Sequence, residues 1–416
     1  MNLKPSPFAP DTFPTLPAVA GVRAATGSRG FYAGRGLERD DVFLFEFASG
    51  TSCAGVFTRS ATASADVQWC RDALAEGQGK ASALVVNSGN SNAFTGPKGV
   101  LKNDATLAAI VAALSTEKQK CFLGATGVIG EPLPDPNYVG SIIPDLAQKL
   151  SDPDWEACAK AFMTTDTFAK GAGFVRDIDG DPTAFSGIAK GSGMIAPNMA
   201  TMLAYVFTDA AITPTLLDQA LREACGQSFN AITVDSDTST SDSLMVFATG
   251  ANGATPISED SDPRFEVFKS ALNEICLELA LLIVKDGEGA TKFVTIDVEG
   301  AVSPESARTI AADIANSPLV KTALAANDAN WGRVVMAVGK SGEPIDQHQL
   351  SIWFDGVRVA AQGARAEDYD EARATEAVSK PEIDIRVRVG DGPGSSRVYT
   401  CDLTHAYVDI NGAYRT

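Results

Sequence analysis

Histidine is almost missing from this chain: His348 and His405 are the only two among 416 residues. A Ser-His-Asp or Cys-His site needs an imidazole beside its nucleophile, and a histidine-rich zinc site needs several. His348 lies in the polar IDQHQL, read as a turn, and His405 in CDLTHAYVDI, read as a strand; both read as structural or solvated. Acyl chemistry must therefore find another base. Paired cysteines are also lacking. The seven (Cys53, Cys70, Cys121, Cys158, Cys225, Cys276 and Cys401) form no CxxC and are odd in number. They are expected as reduced core thiols of a cytosolic protein, not disulfides or metal ligands. Positive charge is scarce: 34 Lys and Arg face 52 Asp and Glu, for a net charge of -18. Such a surface repels nucleic-acid phosphates and anionic lipid, which argues against both as partners and favours a small-molecule substrate. No apolar run reaches the roughly 18 residues that would suggest a membrane span. The opening MNLKPSPFAPDTFP has neither the apolar core of a signal peptide nor the arginine-rich character of a transit sequence. The expected location is cytoplasmic.

What is present suffices for a large core: 45% of the residues are hydrophobic and 21% charged. Residues 1–20 read as a proline-rich extended arm. From about Gly30 to Ala83 the pattern is mostly strand, with DDVFLFEFASG and TSCAGVFTRS as a hairpin-like pair. SALVVN and CFLGA read as buried strands running into glycine-rich loops, and NDATLAAIVAALSTE as a helix. Helices are expected around 137–150 and 154–164, at TPTLLDQALREACGQSF with Thr213 as N-cap and Pro214 at its first position, and over the long PRFEVFKSALNEICLELALLIVK. KFVTIDVEG is a strand and SPESARTIAADIANSPLVKTALAAND helical. GRVVMAVGKSG, LSIWFDGVRVAAQG, EIDIRVRVG and SSRVYTCDLTHAYVDING read as strands, with VGDGPGSSR as a hairpin turn. Adjacent strands and long helices in mixed order predict an α+β fold of layered mixed sheets with packed helices, not a regular βαβ wind.

Several loops hold more glycine and small polar residues than a turn needs. NSGNSNAFTG (Asn87–Gly96) and GATGVIG (Gly124–Gly130) each follow a buried strand. Backbone N–H groups beside Gly127, with the Thr126 hydroxyl, have the composition of an oxyanion hole, and equally of a tight turn. No Gly-Lys-Ser/Thr follows, so neither is a phosphate-binding P-loop. MTTDT clusters hydroxyls at a helix end. KDGEGATK stops the long helix and leaves Glu288 between two glycines, placed to meet an ammonium group.

The segment KGSGMIAPNMATML carries Gly191, Gly193 and Pro197 and then delivers Thr201 into a strand. It reads either as a surface loop or as a bent backbone around a nucleophile. A threonine hydroxyl is a weak nucleophile, and this chain offers it no histidine. Cleavage of the Ala200–Thr201 peptide supplies a base on the same residue: a free α-amine with a pKa of roughly 7.7–8.0. The cut can be autocatalytic. The hydroxyl attacks the preceding carbonyl, the acyl group shifts from N to O, and water hydrolyses the ester.

NSGNSNAFTG, GATGVIG, MTTDT, KGSGMIAPNMATML, DSDTSTSDS, KDGEGATK, NDANWGRV and the terminal INGAYRT together resemble, in order, segments of the ornithine acetyltransferase family, also called glutamate N-acetyltransferase. The likeness spans most of the chain. It implies an N-terminal-nucleophile-like, self-processing enzyme, cut into an α chain (1–200) and a β chain (201–416) that associate as α2β2. By the resemblance, Thr201 is the nucleophile, and Thr126 and Gly127 form the oxyanion hole. Thr164, or the chemically equal Thr165, joins Lys190, Glu288, Asn411 and Thr416 in binding the substrate. The implied reaction moves an acetyl group from N2-acetyl-L-ornithine to L-glutamate in arginine biosynthesis, without metal or cofactor, and acetyl-CoA is a candidate second donor. The chain departs from the family pattern at Ser91, Ala329 and Gly412; the last bears on the region around Asn411. The alternatives are an N-terminal-nucleophile amidohydrolase or aminopeptidase, a secondary-metabolism acyltransferase paralogue, and a binding protein that is never cut.

Overall fold

A computed structural model describes residues 4–196 and 202–413. Among them the chain forms three sheets. The first has the order β1 (Val22–Gly27), β2 (Val42–Phe47), β4 (Ala83–Asn87), β5 (Cys121–Ala125), with β4 and β5 parallel. The second has the order β3 (Ser52–Phe57), β9 (Ser243–Ala248), β8 (Leu203–Thr208), β7 (Asp181–Lys190), β6 (Lys170–Ile178), with β8 and β9 parallel. These two sheets pack face to face. Alternation sends Phe43, Phe45 and Phe47 of β2 into the shared layer against Tyr205, Phe207 and Phe247. Phe45 stacks on Phe207 at 4.5 Å and Phe47 on Phe247 at 4.3 Å between ring centroids.

Helices cover both outer faces. Val42, Leu44, Val85 and Leu123 of the first sheet meet α2 (Pro97–Leu114) and α3 (Ile143–Gln148), while α1 (Ala65–Glu76) and α4 (Trp155–Ala161) pack at its margins. Val206, Leu244 and Val246 of the second meet α5 (Pro214–Gln227) and α6 (Pro263–Lys285). Strands β4, β5, β8 and β9 are buried along their whole length, as inner strands of such a stack must be. The result is helix, sheet, sheet, helix, which bears out the layered α+β expectation.

The third sheet has the order β13 (Ala364–Arg365), β12 (Val357–Ala361), β11 (Ser351–Phe354), β14 (Glu382–Arg388), β10 (Phe293–Ala301), β15 (Gly394–Cys401). It packs one face on α7 (Pro304–Ala315), α8 (Pro318–Ala325), α9 (Trp331–Lys340) and α10 (Glu371–Val378). Among the described residues the last helix is α11 (His405–Ala413), whose Tyr407 and Asn411 hydrogen-bond to Asp235 and Glu288.

Several local expectations are corrected. β2 and β3 are not a hairpin: they belong to different sheets, because the short turn between them passes from one layer to the other. The span read as mostly strand contains α1, capped by Ser64, whose Oγ accepts from Val67 N–H. GRVVMAVGKSG is helical in α9, since Val334, Ala337 and Val338 recur at helical spacing on one buried face. His405 opens α11 rather than lying in a strand. VGDGPGSSR is not a hairpin turn, because β14 and β15 flank β10 instead of pairing with each other. The long helix, the Pro214 start of α5 and all seven cysteines, free and buried, match their readings. Among the described residues no helix is long and apolar enough to cross a membrane.

Candidate active site

Parallel pairing of β4 and β5 brings the two glycine-rich loops together. Their registry runs to the strand ends, where Asn87 pairs with Ala125, and on into the loops, where Asn90 bridges Val128. The loop after β4 is polar because it is buried and must replace ladder bonds with side-chain bonds. Asn87 Nδ2 donates to Asn90 O at 2.9 Å, Ser88 Oγ to Ala161 O at 2.7 Å and Ser91 Oγ to Val128 O at 2.8 Å. Behind it, Asn92 Nδ2 donates to Asp66 at 2.7 Å, and Asp66 pairs with Lys102 at 2.9 Å. At Gly127 the backbone takes φ +128°, and a Cβ there would sit 2.4 Å from the Gly89 carbonyl carbon. Glycine is therefore required where the two loops touch. Thr126 N–H is already engaged, donating to Asn87 O at 3.0 Å, whereas among the described residues no acceptor takes the Gly127 N–H. The available donors are thus the Thr126 hydroxyl and Gly127 N–H.

These donors line a cleft with Thr164, Thr165, Lys190, Gly193, Glu288 and Asn411, and with Ser91 and Ser239–Ser241. Larger cavities lie elsewhere, but none of them gathers these groups. Lys190, the last residue of β7, donates Nζ to Thr126 Oγ1 at 3.3 Å. Burial lowers its pKa, opposed by the negative charges of Asp166, Asp242 and Glu288. Glu288 lies in the turn after α6, its N–H bound to Ser192 O at 3.0 Å. Its carboxylate accepts from Asn411 Nδ2 at 2.7 Å and from the Thr165 hydroxyl. Burial raises its pKa, and those two hydrogen bonds pull the other way. A Cβ on Gly193 would fall 2.4 Å from that carboxylate, so the second glycine of KGSG is what lets Glu288 reach the cleft. Next to it, Met194 N–H and Ile195 N–H donate to Asp235 at 2.6 and 2.8 Å, and Tyr407 on α11 donates to the same carboxylate at 3.2 Å. The C-terminal region is thus tied to the cleft, by a helix rather than by the expected strand.

Thr164 and Thr165 both face the cleft, and Thr165 is the one bonded to Glu288. Beneath them lies a cluster that sequence reasoning missed. Lys170 Nζ donates to Asp166 at 2.7 Å and Asp286 at 2.6 Å, and all three side chains are fully buried. Asp166 also accepts from Gly191 N–H at 2.7 Å and Thr164 N–H at 2.9 Å, and Asp286 from Thr167 N–H at 2.9 Å. Burial acts to raise the Asp166 carboxyl, but Lys170, Lys190 and its hydrogen bonds hold it well below the usual range. The spacing of Asp166 and Lys170, four residues apart in MTTDTFAK, was the available signal. The expected residues Ala200, Thr201 and Thr416 lie outside the described residues. Just beyond Thr201 in sequence, Leu203 pairs with Lys190 across β7 and β8.

The whole chain has close relatives. The ArgJ family model matches residues 26–416. The arginine biosynthesis bifunctional protein ArgJ of Bradyrhizobium diazoefficiens is 52% identical over the full length of both chains. Among solved structures, the arginine biosynthesis bifunctional protein of Bacillus halodurans is 37% identical, covering 50% of this chain and 96% of its own, with a TM-score of 0.48. An ornithine acetyltransferase from Mycobacterium tuberculosis complexed with ornithine is 30% identical, covering 43% of this chain and 93% of its own, with a TM-score of 0.37.

Proposed function

The chain belongs to the ArgJ family, and on that premise we propose that it transfers an acetyl group from N2-acetyl-L-ornithine to L-glutamate, in arginine biosynthesis, through an ester on Thr201. The observation that carries the reading is the convergence of Thr126, Gly127, Thr165, Lys190, Glu288 and Asn411, from separate segments, on one cleft at the start of β8. Each group has a task. Lys190 meets the substrate α-carboxylate and Glu288, held by Asn411 and Thr165, meets the side-chain ammonium of ornithine. Thr164 and Thr416 complete the substrate site.

The Thr201 α-amine takes the hydroxyl proton as Oγ1 attacks the acetyl carbonyl. The resulting oxyanion is met by the Thr126 hydroxyl and Gly127 N–H. Collapse breaks the C–N bond, and ornithine leaves with the proton. The glutamate amine then attacks the ester, and Thr201 recovers its proton. The same residue first cuts Ala200–Thr201, giving an α chain of residues 1–200 and a β chain of 201–416. Strands β3, β6 and β7 precede the cut and β8 and β9 follow it within one sheet, so the two chains stay together. An α2β2 assembly in the cytoplasm follows as part of the proposal. The relatives' description as bifunctional fits a second donor, for which we propose acetyl-CoA.

Thr201→Ala is the direct test: a denaturing gel should show one uncut chain, and transfer should vanish. Processing of that variant at the same bond would defeat the mechanism. An amidohydrolase would release acetate at the same rate with or without glutamate.

A further inference from the structure

We propose that Lys190 is the positioning residue of the oxyanion hole, its ammonium fixing the Thr126 hydroxyl so that the O–H points at the acyl oxygen. This rests on the acyl-transfer reading of the cleft, and it gives Lys190 a task besides the substrate carboxylate. A threonine hydroxyl has one proton and two lone pairs and rotates to suit its partners. An ammonium only donates. The 3.3 Å contact from Lys190 Nζ to Thr126 Oγ1 therefore occupies a lone pair and turns the hydroxyl proton away from β7. The Thr126 backbone is held independently, through its N–H to Asn87 O at 3.0 Å, so the rotor is the remaining freedom. Fixing it in advance removes a reorganisation that would otherwise accompany the transition state, and a cation on the oxygen also strengthens the O–H as a donor.

The lysine is itself held in place. Its backbone is the last rung of β7, paired with Leu203. The charged groups facing it are Asp166, Asp242 and Glu288, with Lys170 opposing. Asp166 accepts from Lys170, Gly191 N–H and Thr164 N–H, and acts on Lys190 through its field. An ammonium has three protons, so contact with Thr126 leaves Lys190 protons for a substrate carboxylate.

The test is a double-mutant cycle on acetyl transfer, with kcat and KM measured for the wild type, Lys190→Met, Thr126→Ala and the double variant. Thr126→Ala should lower kcat by about 10²–10³. Lys190→Met should raise KM and also lower kcat by about tenfold or more, while the double variant keeps the kcat of Thr126→Ala to within about threefold, because no hydroxyl remains to be oriented. Thr126→Ser, which retains the hydroxyl, should restore the sensitivity of kcat to Lys190→Met. If Lys190→Met changes only KM, or lowers kcat by the same factor with and without the hydroxyl, the proposal is wrong.

A second measurement needs no lysine variant. As Lys190 loses its proton at alkaline pH, wild-type kcat should fall, and Thr126→Ala should lack that limb. The same limb in both proteins also overturns the proposal. A wild type that transfers no acetyl group to glutamate would overturn the functional reading as well, whereas independent effects in an active enzyme strike only the role of Lys190.

Discussion

Asp66 and Lys102 form one buried pair, 2.9 Å apart, behind the loop that follows β4. Lys170, beneath the Thr164–Thr167 turn, is instead shared by two buried carboxylates, Asp166 and Asp286. The first cluster is neutral in itself, and its remaining bonds go to Asn92 and through it to Asn103, which fix a loop. The second sets two carboxylates against one lysine, and Lys190, a cleft residue, also acts on Asp166 through its field. Buried ions are costly unless their partners match them. The contrast therefore separates an ion pair that fixes a loop from a triad that is bonded to the segments of the cleft. Its bonds to Thr164, Thr167 and Gly191 anchor the segments that carry the hydroxyls and Lys190, while Asp286 directly precedes the Glu288 turn.

The largest expected effect is on stability. Lys170→Met strands two carboxylates and should cost about 3–5 kcal/mol, read from the denaturant midpoint at constant slope. Lys102→Met strands one and should cost less, leaving KM for N-acetylornithine unchanged in the folded enzyme. Equal losses, or a KM shift from Lys102→Met, would erase the distinction between the clusters.

A smaller effect sharpens it at the cleft. Glu288→Gln removes the charge proposed to meet the ammonium and should raise KM for N-acetylornithine by about 10- to 100-fold, since a hydrogen bond to a charged group contributes about 1.5–3 kcal/mol. The KM for glutamate, which has no side-chain ammonium, should move less. Equal shifts would mean that Glu288 is structural. The smallest effect is in pH. Burial raises the Glu288 pKa, so its charge is complete above that pKa and is lost as pH falls through it. KM for N-acetylornithine should therefore begin to rise at a higher pH than an ordinary glutamate would give, and Glu288→Gln should abolish that dependence.

Much of this was legible in the sequence, because the informative loops sit at strand ends where glycine and small polar residues stand out. Gly127 and Gly193 are needed for reasons that only the packing reveals: one touches the Gly89 backbone and the other the Glu288 carboxylate. Pattern reading failed where short apolar runs fit either period. GRVVMAVGKSG carries enough valine to read as a strand, yet its buried residues recur on one helical face. It failed again at VGDGPGSSR, because a turn sequence does not say that a third strand lies between the two it joins. The Asp166–Lys170–Asp286 triad was half visible: two members are four residues apart, but Asp286 is brought in by the end of α6.

The central claim is that Thr201 carries the acetyl group between two substrates that share one site. Incubation with N-acetylornithine alone, followed by rapid acid quench and peptide mapping of the β chain, tests it most directly. The account predicts one acetyl group per β chain, as an ester on the Thr201 hydroxyl and lost when glutamate is added, with parallel lines in double-reciprocal plots. An unmodified β chain together with intersecting lines would mean direct transfer in a ternary complex and would contradict it.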